Sequence, residues 1–166
     1  SAGVDMISAI TMTNVPEATG LALAAKAFHV PVAISFTVET DGRLPTGDSL
    51  SDAVAAVDEA TQNYPAYYMI NCAHPTHFAG ALEENAPWTA RIRGLRANAS
   101  TCSHAELDAM TDLDIGDPLD LAARHKMLVE RFPQITVLGG CCGTDLRHVT
   151  AIAEACAESK RAPEAP

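Results

Sequence analysis

Five short apolar runs recur along the chain, and each leads through a polar turn into an amphipathic stretch. The runs are nearly continuous in apolar residues, which is typical of parallel strands that are buried on both faces. Strands that alternate with helical segments predict βαβ units, in which a helix carries the chain back to start the next strand. We therefore expect an α/β fold with five parallel strands, near residues 4–11, 32–38, 67–72, 92–97 and 135–139.

Two architectures fit this alternation. One is an open, doubly wound sheet, and the other is the (β/α)8 barrel, whose strands follow one another in chain order through right-handed crossovers. In a barrel the chemistry lies where strands end and βα loops begin. The predicted second helix begins near Asp48 or Ser49, either of which suits an N-cap, and Pro75 suits the first turn of the third.

Length, charge and composition limit the class of protein. At 166 residues the chain fits one domain, and its Pro- and charge-rich end, residues 159–166, is expected to be disordered. A net charge of −10 argues against a nucleic-acid or anionic-membrane partner. No apolar run approaches the ~20 residues of a membrane span, and no signal-peptide pattern is visible. The five cysteines, an odd number, favour reduced thiols and a cytoplasmic location.

Three cysteines stand out by position. Cys72 follows the predicted third strand in "INCAHPTH", and Cys141 and Cys142 follow the fifth in "GGCCGT". Three thiolates can hold zinc and leave a fourth, exchangeable position, which is the mark of a catalytic zinc site. Soft thiolates also select zinc over magnesium or calcium. A substrate thiol in the open position would be deprotonated near neutral pH.

Other interpretations of these residues remain open from spacing alone. Single cysteines are commonly small buried core residues. A rival ligand set is Cys72, His74 and His77, because "CAHPTH" holds three potential ligands within six residues, although such histidines are more often polar cap residues.

Further candidates lie elsewhere in the chain. Cys102 and His104 in "TCSH" form a weak metal-binding pair in a predicted loop, and Cys156 is expected in the core. The Gly139–Gly140 turn could instead bind a phosphate at the start of the following helix.

Four segments resemble the homocysteine S-methyltransferase family. "GGCCGT" followed by "DLRHVTAIAEAC" resembles its C-terminal signature, and "INC" is similar to its second signature. "SFTVETDGRLPTGDSLSDAV" resembles the region after its fifth strand, and "AGVDMISAITMTNVPEA" resembles its fourth strand and the turn that follows. The resemblance extends from Ala2 to about Ala157.

This resemblance implies a fold, a cofactor and an activity. Members are zinc-dependent (β/α)8 barrels that methylate the thiol or selenol of homocysteine or selenohomocysteine. It implies that Cys72, Cys141 and Cys142 are the zinc ligands and the catalytic centre. Asn98 and Thr11 are expected to bind substrate. Residues 1–158 would then be the C-terminal part of such a barrel, a partial barrel of about five βα units, acting on a small-molecule thiol and a methyl donor.

Two departures from the family pattern matter. Members carry an acid, which helps to hold the substrate ammonium group, where this chain has Ile10. The chain also starts at the family's fourth strand, so three βα units are absent, and we expect it to be inactive alone. Its open sheet edges predict self-association or pairing with an N-terminal half of the barrel. The alternative function is a non-catalytic zinc-binding remnant or assembly subunit.

Overall fold

A computed structural model describes residues 3–159, and in that range five strands form one parallel sheet. The strands are β1 (Ile7–Met12), β2 (Val32–Phe36), β3 (Tyr67–Asn71), β4 (Ile92–Ala97) and β5 (Val137–Gly140). Their order in the sheet is the order in the chain, from β1 to β5. In a doubly wound sheet the order of the strands would change direction at a switch point. The sequential order therefore confirms the partial (β/α) barrel.

The strand register brings the C-terminal ends of β3, β4 and β5 to one edge of the sheet. Asn71 pairs with Arg96, and Ala97 pairs with Gly140. The chain stays attached to β4 beyond these pairs, because Cys72 donates its N–H to Arg96 O at 3.0 Å and Cys141 donates to Ala97 O at 2.8 Å. The two segments that carry the cysteines therefore meet over the end of β4.

Six helices connect and cover the described strands. They are α1 (Val15–Ala27), α2 (Leu50–Thr61), α3 (Pro75–Phe78), α4 (His104–Asp108), α5 (Pro118–Arg131) and α6 (Leu146–Ser159). Ser49 is the N-cap of α2 and Pro75 opens α3, as the sequence indicates. Helix α4 lies where we expected only a polar loop. Its five residues are held by a capping box, in which the Ser103 hydroxyl and the Glu106 carboxylate each bond the other's backbone N–H.

The core lies between the sheet and the helices on its outer face. Val32, Ile34 and Phe36 point from β2 into this layer, where the Phe36 and Tyr68 rings stack at 6.1 Å. Within the described residues β1 and β5 each pair on one side only, so the sheet is open. Ile10 on β1 is 45% exposed and Val137 on β5 is 37% exposed.

No helix within residues 3–159 has the length and hydrophobicity that crossing a membrane requires. The disordered tail was predicted to begin at residue 159. Ser159 is the last residue of α6, and residues 160–166 lie outside the described part of the chain.

Candidate metal centre

The sulfur atoms of Cys72, Cys141 and Cys142 lie together at the C-terminal edge of the sheet, within 4.8 Å of one another. Cys142 Sγ is 3.9 Å from Cys72 Sγ and 4.0 Å from Cys141 Sγ. Cys72 and Cys141, with Cα atoms 5.5 Å apart, are joined as a disulfide in this structure. Among the described residues this is the one group of His, Cys, Asp and Glu side chains with the geometry of a metal site.

The backbone takes unusual conformations to bring these sulfurs together. Cys72 has φ +54° directly after β3, and Gly143 has φ +75° directly after the cysteine pair. The chain turns at Cys141, whose carbonyl accepts the Thr144 N–H at 3.1 Å and the Thr144 hydroxyl at 2.6 Å. A side chain at Gly140 would collide with Thr144, so the tight turn that presents the pair requires glycine there.

The donor set fits a zinc ion. Tetrahedral Zn–S bonds of about 2.3 Å place ligand sulfurs about 3.8 Å apart, close to the two distances that Cys142 makes. Cys72 and Cys141 would bind as thiolates, so the pair must be reduced before a metal can enter. Cys142 is exposed and the other two are partly exposed, which leaves room for a fourth ligand.

Asn71, the residue before Cys72, is buried, and its side-chain oxygen and nitrogen both form hydrogen bonds. Its Oδ1 accepts the Thr11 N–H at 2.9 Å and the Ser35 hydroxyl at 2.6 Å, and its Nδ2 donates to Thr11 Oγ1 at 2.8 Å. The asparagine therefore joins the ends of β1, β2 and β3 beside the cysteines. Thr11, which we predicted to bind substrate, is held there with φ +58°.

His104 at the start of α4 holds the backbone of Cys72. Its Nε2 donates to Cys72 O at 2.8 Å, and its Nδ1 lies 3.1 Å from Glu39 Oε1. Burial lowers the pKa of His104, but the hydrogen bond to Cys72 and the Glu39 carboxylate outweigh it, so the pKa is raised above its ordinary value. Sequence reasoning placed His104 in a weak metal pair with Cys102 and missed this contact.

A cavity of about 500 Å³ opens beside the sulfurs. Thr11, Cys72, Asn98 and Cys142 line it from the strand ends. The segment of residues 103–116, which we call the β4–α5 loop, lines its other side through residues that include Asp108, Asp112 and Asp114. Four of the five predicted site residues thus line the cavity, and the fifth, Cys141, contributes its sulfur to the cluster beside it.

Hydrogen bonds attach the β4–α5 loop to the residues that follow β4 and to α6. Asp114 Oδ2 accepts the Ser100 hydroxyl at 2.5 Å and Oδ1 accepts the Gly116 N–H at 3.0 Å, and these bonds hold the pKa of Asp114 below its ordinary value. Asn98 Oδ1 accepts the Ser100 N–H at 3.1 Å. His148 Nε2, on α6, donates to Ile115 O at 2.8 Å. Asp114 was not singled out from the sequence.

In the described part of the chain, His74 and His77 do not form a group with metal-site geometry together with Cys72. His74 is the N-cap of α3, where its Nδ1 lies 2.8 Å from Thr76 Oγ1. His77 Nε2 bonds to Thr101 O at 2.9 Å. Cys156 is buried in the core, as expected.

Comparison with known proteins gives the family and the fold. The sequence model of the homocysteine S-methyltransferase family matches residues 1–156. A search of curated proteins returned no match. Among solved structures, the apo form of the homocysteine methyltransferase MmuM from Escherichia coli is 21% identical, with a TM-score of 0.64 over 93% of this chain and 51% of that one.

Two further structures are similar. The metallated form of the same E. coli protein gives 21% identity and a TM-score of 0.64, covering 92% of this chain and 46% of that one. A probable tagatose 6 phosphate kinase from Sinorhizobium meliloti 1021 is 18% identical, with a TM-score of 0.55 over 92% of this chain and 45% of that one. The chain therefore spans about half the length of these structures, and at such identities the likeness is one of fold.

Proposed function

Since the chain belongs to the homocysteine S-methyltransferase family, we propose that it is the zinc-binding, C-terminal part of an S-methyltransferase. The reaction moves a methyl group from a small-molecule donor to the sulfur of homocysteine or a related thiol or selenol. The observation that carries this proposal is the convergence of three cysteine sulfurs beside a cavity of about 500 Å³.

Cys72, Cys141 and Cys142 are the proposed zinc ligands. When bound, zinc would supply Lewis acidity that keeps the acceptor thiol ionised near neutral pH. The ionised sulfur attacks the methyl carbon, and the donor leaves with the electron pair of the broken bond. The thiol proton passes to solvent.

The surrounding residues position the ligands. Asn71 fixes the end of β3 through Thr11 and Ser35, and His104 fixes the carbonyl of Cys72. Ligands that are held in place before binding lose less freedom when the metal and the substrate enter. The β4–α5 loop lines one side of the cavity beside the sulfurs.

The other strands of the barrel must come from elsewhere. A closed barrel of this type has eight strands, and the described residues supply five. The missing three βα units would come from another segment of the protein or from a partner chain that pairs with β1 and β5. Without them we expect metal binding and no turnover.

One observation favours a non-catalytic role. Ile10, at the end of β1, presents an exposed apolar side chain where an enzyme of this family would hold the ammonium group of its substrate. In this second proposal the chain is a zinc-binding remnant or an assembly subunit that retains the sulfur cluster.

Titration with Co²⁺, a spectroscopic substitute for zinc, tests both proposals. The reduced chain should bind one metal ion with thiolate-to-metal absorption, and Cys142→Ser should lower the affinity at least about tenfold. Cys102→Ser is the matched control and should bind as the wild type does. Homocysteine added to the loaded protein should change the spectrum if the chain is part of an enzyme. An unchanged spectrum would favour the remnant. If Cys142→Ser bound the metal as tightly as the wild type does, the ligand assignment would be wrong.

A further inference from the structure

Thr37 lies one strand away from the metal ligand Cys72, and its hydroxyl group is unpaired in the described part of the chain. It follows β2 and lines the cavity, its side chain is 2% exposed, and its Oγ1 has no hydrogen-bond partner among the described residues. Two other buried side chains in that range have an unpaired polar atom, Thr89 and His125, and neither lines this cavity. An unpaired buried hydroxyl costs folding free energy, so a bound ligand that pairs with it would recover that cost. A rotation about χ1 redirects the hydroxyl without moving the backbone.

Asp114 offers a fixed carboxylate to the same cavity. The Ser100 hydroxyl and the Gly116 N–H each hold one of its oxygens, and each oxygen keeps a lone pair for a further donor. Because Ser100 is itself buried, the carboxylate is oriented before any ligand arrives. Folding has therefore already ordered this carboxylate, so less conformational entropy is lost when a ligand binds it.

Carboxylates outnumber cationic groups around the cavity. Its lining includes the carboxylates of Asp108, Asp112 and Asp114, and none of the described lining residues is Lys or Arg. The ring of His104 is engaged with Cys72 O and Glu39. A cationic head group would be attracted to such a cavity, and an anionic one would be repelled.

We propose that Thr37 and Asp114 are specificity-determining residues that bind an ammonium group on the acceptor thiol. Both offer oxygen acceptors to the three N–H donors of an ammonium group. It follows that the cavity prefers a thiol with a cationic head over one with a neutral or anionic head. This inference rests on the proposed function, because it assumes that the thiol binds at the sulfur cluster.

A series of short thiols on the Co²⁺-loaded protein tests the proposal. Cysteamine, 2-mercaptoethanol and 3-mercaptopropionate carry a cationic, a neutral and an anionic head, and entry of each thiolate is followed by its charge-transfer band. We expect Asp114→Asn to lower the preference for cysteamine over 3-mercaptopropionate by about fivefold to tenfold. Comparing the same two thiols in wild type and variant cancels the difference in their own acidity. Glu59→Gln, an exposed carboxylate on α2, is the matched control and should keep the wild-type preference.

Thr37→Val gives a second, independent arm. Valine has nearly the same shape and no hydroxyl, so the variant should unfold at a higher urea concentration while it binds cysteamine about threefold to tenfold more weakly. If Thr37 binds the ligand, its replacement by valine should raise stability and lower affinity for cysteamine. A purely structural threonine would not give this combination. Since this variant should fold well, the proposal stays testable even if Asp114→Asn does not fold.

The outcomes separate this inference from the function on which it rests. If wild type, Asp114→Asn and Thr37→Val all showed the same preference for cysteamine over 3-mercaptopropionate, this inference would be wrong. Thiol binding at the metal would still stand. A loaded wild-type protein that admits none of the three thiols would overturn the proposed enzyme and this inference together. Loss of the cationic preference in both variants, with the control unchanged, would support it.

Discussion

Asn71 Nδ2 donates to Thr11 Oγ1 at 2.8 Å, and Asn71 Oδ1 accepts the Thr11 N–H at 2.9 Å, although the two residues are 60 positions apart in the sequence. The asparagine also accepts the Ser35 hydroxyl, so one buried amide joins the ends of three neighbouring strands. Cys72 follows directly and takes a left-handed backbone conformation. The position of this metal ligand therefore depends on a hydrogen-bond network that begins at the edge strand β1.

Replacing Asn71 by Ala should destabilise the fold and loosen the metal centre. The change leaves the Ser35 hydroxyl and the Thr11 N–H without partners, at a cost of about 3 kcal/mol in the free energy of unfolding. Urea denaturation measures this cost, and Ser35→Ala is the control, which should cost about 1 kcal/mol. If Asn71→Ala unfolded at the same urea concentration as the wild type, the network would make no contribution to the free energy of unfolding.

Gly143 allows the cysteine pair and the β4–α5 loop to approach each other. A Cβ there would collide with Asp114 O and lie 2.9 Å from Ala99 Cβ, in addition to the strain of φ +75°. We expect Gly143→Ala to cost about 2–3 kcal/mol in stability and to weaken zinc binding. Gly47→Ala is the matched control, because Gly47 has φ +92° but open space around it. Equal zinc affinity in the two variants, measured by chelator competition, would show that the contact with the loop is unimportant.

The central strands β2 and β3 were predictable because burial on both faces leaves a pattern of nearly continuous apolar residues. The prediction was less accurate at the first strand, where β1 begins at Ile7 rather than residue 4. Val4 and Met6 are apolar but 58% and 42% exposed, since the edge strand has no neighbour there to pair with. Helix α4 escaped prediction because five residues are too few to show a helical period, although its capping residues Ser103 and Glu106 were a usable signal.

Geometry made the sulfur cluster one interpretation among several, and the resemblance to the family singled it out. Parallel strands end at the same edge of a sheet, so cysteines that follow β3 and β5 lie at that same edge. The contacts of His104 with Cys72 and of Asp114 with Ser100 were not predictable, because they depend on how the β4–α5 loop folds back over the sheet. The unpaired hydroxyl of Thr37 has no sequence signal either, since any threonine after a strand looks the same until its neighbours are known.

Arg91 forms an ion pair with Asp58, a buried carboxylate on α2. Arg91 Nε and Nη2 donate to the two oxygens of Asp58 at 2.9 Å each, and Tyr68 donates its hydroxyl to Asp58 Oδ1 at 2.8 Å. Burial and the hydrogen bond to Asp58 raise the pKa of Tyr68 above its ordinary value, and the Arg91 guanidinium opposes this with a smaller effect. Because Asp58 is buried, Arg91→Met should cost about 2–3 kcal/mol, whereas Tyr68→Phe should cost about 1 kcal/mol. Arg147→Met, which breaks an exposed pair, should leave the thermal midpoint unchanged, and a similar loss there would mean that burial is not the cause.

His125 on α5 should make the fold sensitive to acid. Burial lowers its pKa below the ordinary 6.5, partly offset by the hydrogen bond from Nδ1 to Leu121 O and by the nearby Gly139 carbonyl. Its contribution to stability is therefore complete above pH 6.5 and is lost as pH falls from there through the lowered pKa, because the unfolded chain binds the proton more readily. His125→Gln should lose less stability than wild type between pH 7 and 5 in urea denaturation. Parallel curves over that interval would show that His125 is not the titrating group.

The open edges of the sheet should make this chain self-associate. Among residues 3–159, β1 and β5 each pair on one side only, and Ile10 and Val137 are exposed there without the charges or prolines that protect natural edge strands. A second copy that covers these edges would remove apolar surface from water, and a two-fold dimer is the commonest closed arrangement.

Light scattering across a concentration series measures this association, with Ile10→Lys and Val137→Lys combined as the test variant. A lysine at each edge should shift the chain towards a monomer, because pairing would bury an uncompensated charge. Leu146→Lys, on the exposed side of α6, is the control and should associate as the wild type does. A wild-type chain that remained a 17.4 kDa monomer at every concentration, with one cooperative thermal transition, would show that five strands and their helices are sufficient by themselves.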